Sequence, residues 1–345
     1  MDPQYDVIVV GGGPAGLVAA LFCARRGLRT LVLAKDIGGQ LALTEEVENY
    51  PGVPDVGGRQ LVANLKGQVE RDGATIQLAE VMGIAPRDAG YTVRTVDGQE
   101  HATRTIILAF GLTPNDLGAS GEATFVGKGI SYSAVADAPP QDGKTIAVVG
   151  GGNSALTAVL ELAPRAKRVY LVHRREEFRA EKNLLDRARV TTNVEFITPY
   201  TITEVRGRDR LKEMVLAHAA IDSSPSSSGT RSRADERQKR GSERGSGRTL
   251  TLDSVFVQIG YSAKTKWLEG VVALNAKREI TIDRDCATNV PGIFAAGDIT
   301  DIAYKQAVVS AGEGAKAALQ VFKYLQTAAG KPAIMFDWDA RGKVK

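Results

Sequence analysis

Two short glycine-rich runs hold the residues best suited to chemistry in this chain. In GGGPAG, Gly11, Gly13 and Gly16 are spaced as G-x-G-x-x-G; in GGGNSA, Gly150, Gly152 and Ala155 repeat the spacing with alanine last. Each follows a run of branched apolar residues and precedes a run of helical character, the one context that gives such a spacing weight. There the first glycine permits a tight turn, the second lets a phosphate reach the backbone, and the third lets helix and strand pack closely. The helix N-terminus beyond offers free N–H groups and a partial positive charge to a pyrophosphate. The chemistry this predicts is dinucleotide binding, twice over.

A third cluster refines the second turn. His173, Arg174 and Arg175 follow the apolar run Arg168–Val172, and Arg179 stands four residues beyond Arg175. After the second strand of a nucleotide-binding unit an acidic residue selects NAD, whereas arginines accept the extra 2′-phosphate of NADP. The same place in the first unit reads Ala34-Lys35-Asp36, so a ribose contact there is altered or shifted to Asp36. Asp298, at the end of VPGIFAAGD, is positioned to accept hydrogen bonds from a cofactor's ribityl chain. Two lookalikes fail. Ser154 in GNSAL lacks the second glycine of a nucleophile elbow, and Gly143-Lys144-Thr145 lacks the phosphate-loop glycine at position 138, which is alanine.

The elements that must position these residues follow from periodicity. Tyr5–Val10, Arg29–Leu33, Thr92–Val96 and Thr105–Leu108 read as strands, with helices over Val18–Arg26 and Leu61–Asp72. Ala109-Phe110-Gly111 closes this first unit. Lys144–Val149 and Arg168–Val172 are strands of the second, with a helix between them. Leu211–Ala219 and Thr249–Gly260 read as adjacent strands, and a long helix is predicted over Gln306–Gln326. The fold class is α/β, with two Rossmann-like nucleotide-binding units.

Composition bounds the rest. A chain of 345 residues is long enough for two well-formed cores. The net charge is +4, yet residues 222–248 alone hold seven Lys/Arg against four Asp/Glu. That polar stretch is read as a mobile insertion, and the near-neutral remainder, with 6% aromatics, argues against a nucleic-acid partner. Two cysteines, Cys23 and Cys286, form no Cys-x-x-Cys, which suits a reducing compartment. Cys23 is expected to be a buried inert thiol and Cys286 an incidental loop residue. Three scattered histidines give no metal-ligand spacing. Residues 7–24 carry no charge, but glycines and a proline interrupt them and acidic residues precede them, so no membrane span is expected and the location is read as cytoplasmic.

Taken in order, GGGPAGL, GGQL, EVENYPG, GKGISY, VVGGGNSA, HRREEFRAEK, VPGIFAAGD and KQAVVSAGEGAKAA resemble the low-molecular-weight thioredoxin reductase family of flavoproteins, over nearly the whole chain. The resemblance implies an FAD domain over residues 1–116 and 252–345, interrupted by an inserted NADPH domain over 117–251, and a homodimer. Residues 327–345, with Phe336 and Trp338, would form a C-terminal extension. FAD would contact Gly11, Gly13, Pro14, Ala15, Gly16, Gly39, Gln40, Leu41, Asn49, Val81, Ala109, Gly297, Asp298, Lys305, Gln306 and Ala307. NADPH would contact Gly150, Gly152, Asn153, Ser154, Ala155, His173, Arg174, Arg175 and Arg179.

The departures bear on function. Ser133 and Ala136 occupy the family's redox cysteine positions, although the acid that follows is kept as Asp137. Phe110 replaces a small polar residue, and Lys305 an arginine. Dithiol–disulfide exchange needs a thiolate, so the family's reaction on thioredoxin is not expected and no catalytic side chain is assigned. Hydride transfer from nicotinamide to flavin needs only proximity and orientation. The ferredoxin/flavodoxin–NADP reductases of thioredoxin-reductase type, which also lack the cysteines, are similar in plan. The expectation is an FAD-dependent NADPH oxidoreductase that passes electrons to a redox protein, such as ferredoxin or flavodoxin, or to a small acceptor. A basic insertion suits an acidic acceptor. Two alternatives stand beside it: a thioredoxin reductase homologue with replaced cysteines, and a non-catalytic flavin or nucleotide sensor.

Overall fold

A computed structural model of the chain describes residues 4–44, 46–53, 56–132, 141–219 and 247–332. Ser133, Ala136, Asp137, residues 222–246 of the expected insertion, Phe336 and Trp338 lie outside the described residues. The chain divides into two compact units, residues 1–113 with 262–345, and residues 114–261.

In the first unit β1 (Tyr5–Gly12), β2 (Thr30–Ile37) and β3 (Thr75–Leu78) are parallel neighbours, while β4 (Val81–Arg87), β5 (Gly90–Thr95) and β6 (Glu100–Leu108) form an antiparallel meander. β6 belongs to both arrangements. Its first half pairs antiparallel with β5 through Tyr91 and Thr103, and its second half lies parallel to β1 and to the strand Ile293–Ala295. The sheet is covered on both faces, which explains why β1 is apolar at consecutive positions. Val7, Val9, Val32 and Ile107 pack against Leu17 and Val18 of helix α1 (Pro14–Arg25), Leu61 and Leu65 of helix α2 (Gly58–Arg71), and Val321 of the helix Ala307–Ala328. Ile8, Val10, Leu33, Ile106 and Leu108 face the opposite way, toward Leu268, Ile280 and Ile299.

The second unit is built on a parallel sheet ordered Val194–Ile197, Arg168–Val172, Thr145–Val149, Ser254–Val257, Ile130–Ser131. One face, with Val148, Leu171 and Phe256, packs on Leu156 and Val159 of the helix Asn153–Leu162 and on Ala188 of the helix Lys182–Val190. The other packs on an antiparallel sheet of Tyr200–Gly207, Leu211–His218 and Arg248–Thr251, through Met214, Leu216 and Leu250. Leu211–His218 and Arg248–Thr251 are adjacent as expected, but the expected single strand Thr249–Gly260 is two strands in two sheets. Leu252 is buried at the break, and Asp253 accepts the backbone N–H of Thr145 at 3.1 Å, fastening the second strand to the parallel sheet. Both halves are rich in β-branched residues, the first alternating exposed threonines with buried Leu250 and the second buried throughout, and both patterns are those of a strand. Among the described residues no helix is long and apolar enough to cross a membrane.

Candidate functional site

The first site forms where β1 ends. Gly11 has φ +115°, and a Cβ there would stand 2.4 Å from the carbonyl oxygen of Ala109; a Cβ on Gly16 would stand 1.9 Å from that of Gly11. Strand and helix thus touch through backbone, as the first and third glycines of such a turn require. At Gly13 the nearest atom to an added Cβ is Gly38 O at 4.0 Å, so the middle of the turn is open. Gly13 also caps α1 without a side-chain hydrogen bond, and Pro14 opens the helix, where its missing N–H does no harm.

Sheet pairing brings the other residues to this turn. Ala109 donates its N–H to Val10 O at 2.8 Å, and Ala296 donates to Leu108 O at 3.0 Å, which sets Gly297 beside α1; a Cβ on Gly297 would lie 2.8 Å from Ala15 Cβ. Gly38 donates to Gly12 O at 2.8 Å, placing Gly39, Gln40 and Leu41 next in line. Asp36 accepts the N–H of Gly39 at 3.0 Å, so the carboxylate suggested for a ribose shapes this turn. Gln40 donates to Leu112 O at 3.2 Å, and Asn49 donates to the side-chain oxygen of Gln306 at 3.2 Å. Gln306 caps the helix that Ala307 begins. Asp298 accepts the hydroxyl of Ser310 at 2.8 Å. Val81 differs from this group, since its side chain is buried in the core with Val10, Leu33 and Leu108.

The ammonium of Lys305 turns inward. It donates to Asp298 O at 3.0 Å and to Thr300 O, and it pairs with Glu279 at 3.2 Å. Glu279 carried no mark in the sequence, because its role depends on a contact across the fold.

The second site repeats the plan in the second unit. Gly150 donates to Val172 O at 3.0 Å, and a Cβ on it would lie 2.2 Å from Gln258 O and 2.9 Å from the Cβ of Ala155. Gly152 caps the helix Asn153–Leu162 without a side-chain bond, and nothing lies within 4 Å of a Cβ added to it. Arg179 donates its backbone N–H to Gly151 O at 2.8 Å. Asn153 donates to the Glu181 carboxylate at 2.9 Å and accepts the Glu181 N–H at 2.8 Å, while Ser154 is exposed. Glu181, the ninth residue of HRREEFRAEK, thus fastens that segment to the start of the helix.

Arg174, Arg175 and Arg179 are exposed, and among the described residues no carboxylate pairs with them. His173 is buried against Phe178, with ring centroids 5.0 Å apart, and its Nε2 has no hydrogen-bond partner. Burial, aided by the three arginines, holds its pKa below the ordinary 6.5, against a backbone hydrogen bond at Glu177 that acts the other way. Three exposed arginines on a loop bonded to an open helix N-terminus suit an anion, whereas the orphaned imidazole nitrogen is closed off from solvent and lies over Gly151.

The remaining reactive groups are sequestered. Cys23 and Cys286 are both free and fully buried. Burial pushes both thiols well above their ordinary pKa, and a 2.9 Å hydrogen bond from Cys286 to Glu313 reinforces the effect there. Among the described residues no group of His, Cys, Asp and Glu could hold a metal ion.

The pyridine nucleotide-disulphide oxidoreductase family matches residues 5–314. The F subunit of alkyl hydroperoxide reductase from Escherichia coli (strain K12) is 38% identical over 325 residues, covering 93% of this chain and 58% of that protein. The Pseudomonas putida protein of the same name is 36% identical over 324 residues, again covering 93% and 58%. The chain thus spans less than two thirds of the length of these curated relatives. Among solved structures, Lactococcus lactis thioredoxin reductase in its FR conformation superposes with a TM-score of 0.73 at 28% identity, covering 94% of this chain and 100% of that one. The T. acidophilum thioredoxin reductase gives 0.70 at 26% identity, covering 95% and 100%.

Proposed function

The chain belongs to the pyridine nucleotide-disulphide oxidoreductase family, and we propose that it transfers electrons from NADPH through FAD to an external acceptor without a redox-active disulfide. That it is a flavoprotein oxidoreductase using FAD and NADPH follows from the family and its thioredoxin reductase neighbours. The observation that carries the disulfide-free reading is the state of the thiols. Its two cysteines are buried and held protonated, and serine and alanine stand at the positions of the family's reactive pair.

The residues present fit both cofactors. In the first unit the open backbone at Gly13 and the uncapped start of α1 suit the FAD pyrophosphate, with Gly39, Gln40, Asn49, Asp298, Gln306 and Ala307 around it. In the second, the open Gly152 cap suits the NADPH pyrophosphate, while Arg174, Arg175 and Arg179 suit its 2′-phosphate. FAD, when bound, accepts a hydride from the nicotinamide and can release electrons singly or in pairs. The contribution of the protein is then binding and orientation, with no side chain needed to form or break a covalent bond.

The acceptor we propose is a redox protein of the ferredoxin or flavodoxin class, or a small molecule. Net positive charge in residues 222–248 favours an acidic partner. We also place the protein as a cytoplasmic homodimer, in keeping with its free cysteines and its thioredoxin-reductase plan. The name of the curated relatives adds a peroxide-reducing partner as a second acceptor to try. Anaerobic rapid mixing with NADPH tests the central step: the flavin absorbance should bleach in the Cys23→Ser, Cys286→Ser double variant as in the unaltered protein. Persistent flavin colour in the unaltered protein would sink the NADPH-to-flavin step, and loss of acceptor reduction in the double variant with bleaching intact would sink the disulfide-free reading. An acceptor panel of ferredoxin, flavodoxin, oxygen, quinone, peroxide and disulfides then identifies the second step. If Ser133→Cys with Ala136→Cys creates thioredoxin reduction, the chain is a reductase whose cysteines were replaced.

A further inference from the structure

Lys305 is a cation set into the first site, and its ammonium has three hydrogens to place. All three have protein acceptors: the backbone oxygens of Asp298 and Thr300 and the carboxylate of Glu279. Nothing is left for a direct bond to a ligand, so a role in the site must be exerted through the backbone it holds. That backbone is the segment from Gly297 to Gln306, which joins the strand Ile293–Ala295 to the cap of the helix Ala307–Ala328.

Glu279 is itself held in place. Its second carboxylate oxygen accepts from Asn275 at 2.8 Å, and its N–H donates to the Asn275 side chain at 3.0 Å. Its neighbour Arg278 lies in the left-handed region at φ +67°, a conformation that persists only where surroundings over-determine it. The next residue, Ile280, donates to Ile299 O at 2.9 Å and accepts from Asp301 at 3.0 Å. The side chains of Lys305 and Glu279 are 26% and 14% exposed, so the pair sits where solvent screens it weakly. Burial raises the Glu279 carboxyl, but hydrogen bonds from Asn275 and Lys305 and the charges of Lys305 and Lys277 bring it below the ordinary range.

We propose that Glu279 is a positioning residue for the flavin site, acting through Lys305: it holds the ammonium on the Asp298 and Thr300 carbonyls and so fixes the segment that carries Asp298 and Gln306. The inference rests on the assignment of FAD to the first unit. It concerns a residue remote in sequence from every glycine turn.

The test is FAD affinity of the full-length apoprotein, read by quenching of flavin fluorescence. Glu279→Gln and Lys305→Met should each weaken binding about tenfold, the effect of one charge-assisted hydrogen bond. Lys305→Arg keeps the cation and should recover most of that loss. The double variant Glu279→Gln, Lys305→Met should bind no more weakly than Lys305→Met alone, since Glu279 acts through Lys305. The circular dichroism of the bound flavin should also change in Glu279→Gln, which a loss of bulk stability does not produce. Fully additive losses in the double variant overturn the inference. So does a lowered apoprotein melting temperature with unchanged FAD affinity, which would make Glu279 structural only. If the unaltered apoprotein fails to quench flavin fluorescence, the FAD assignment falls and this inference falls with it.

Discussion

Arg179 donates its backbone N–H to the carbonyl oxygen of Gly151 at 2.8 Å, a bond that, with the paired hydrogen bonds of Asn153 and Glu181, ties the arginine loop to the glycine turn. The loop therefore cannot drift from the turn without breaking a backbone hydrogen bond, and its three cations stay beside the helix N-terminus. Replacing Arg175 by alanine should raise the KM for NADPH by about tenfold or more, as expected for loss of a charge-assisted hydrogen bond. The KM for NADH, which lacks the 2′-phosphate, should change little. Equal losses for both nucleotides would count against a 2′-phosphate role.

Two adjacent glycines should behave differently. A Cβ on Gly152 meets nothing within 4 Å, and its φ of −106° is open to any residue, so Gly152→Ala should leave the melting temperature near the parent value while weakening NADPH. A Cβ on Gly151 would stand 2.4 Å from the His173 ring, so Gly151→Ala must displace a buried imidazole. The expected cost is about 1–3 kcal/mol in urea unfolding. Unchanged NADPH affinity in Gly152→Ala would argue that no phosphate approaches there.

His173 supplies a pH dependence with a definite sign. Its folded pKa lies below 6.5, so below that pH the unfolded chain binds a proton that the fold does not. Its contribution to stability is complete above pH 6.5 and is lost as pH falls through the lower, folded value. Urea unfolding of the parent and of His173→Gln across this range should show a slope that is smaller in the variant.

Glu122 is a buried carboxylate that accepts from Leu117 N–H at 2.7 Å, Gly118 N–H at 2.9 Å and the Tyr132 hydroxyl at 2.9 Å. Glu122→Ala strands the Leu117 and Gly118 N–H groups, while the Tyr132 hydroxyl keeps Asp116 at 3.3 Å as an acceptor, and should destabilise the protein by about 2–3 kcal/mol. Tyr132→Phe removes one partner and should cost about 1 kcal/mol. Thermal unfolding of both variants checks the order.

Thiol reagents should be ineffective on the native protein, because the thiolate is the reactive form and burial disfavours it at both cysteines. NADPH oxidation after incubation with iodoacetamide should match the untreated control. Loss of activity on a time scale faster than unfolding would reveal a reactive cysteine.

By itself, the sequence determined what can be read within a few residues of a turn. The two glycine spacings, the strand before and helix after each, the arginines following Val172 and the want of cysteine at 133 and 136 are local patterns, and local sterics set them. Tertiary structure decided whatever depends on which distant strands pair. The split of Thr249–Gly260 between two sheets is one such case, and the burial of Cys286 against Glu313 is another. The parallel pairing of Ile293–Ala295 with β6 carries Gly297 to Ala15, and the Glu279–Lys305 contact exists only once that pairing has formed. A carboxylate and an ammonium can meet in many arrangements of a chain, and only the folded sheet selects the one in which they hold Asp298.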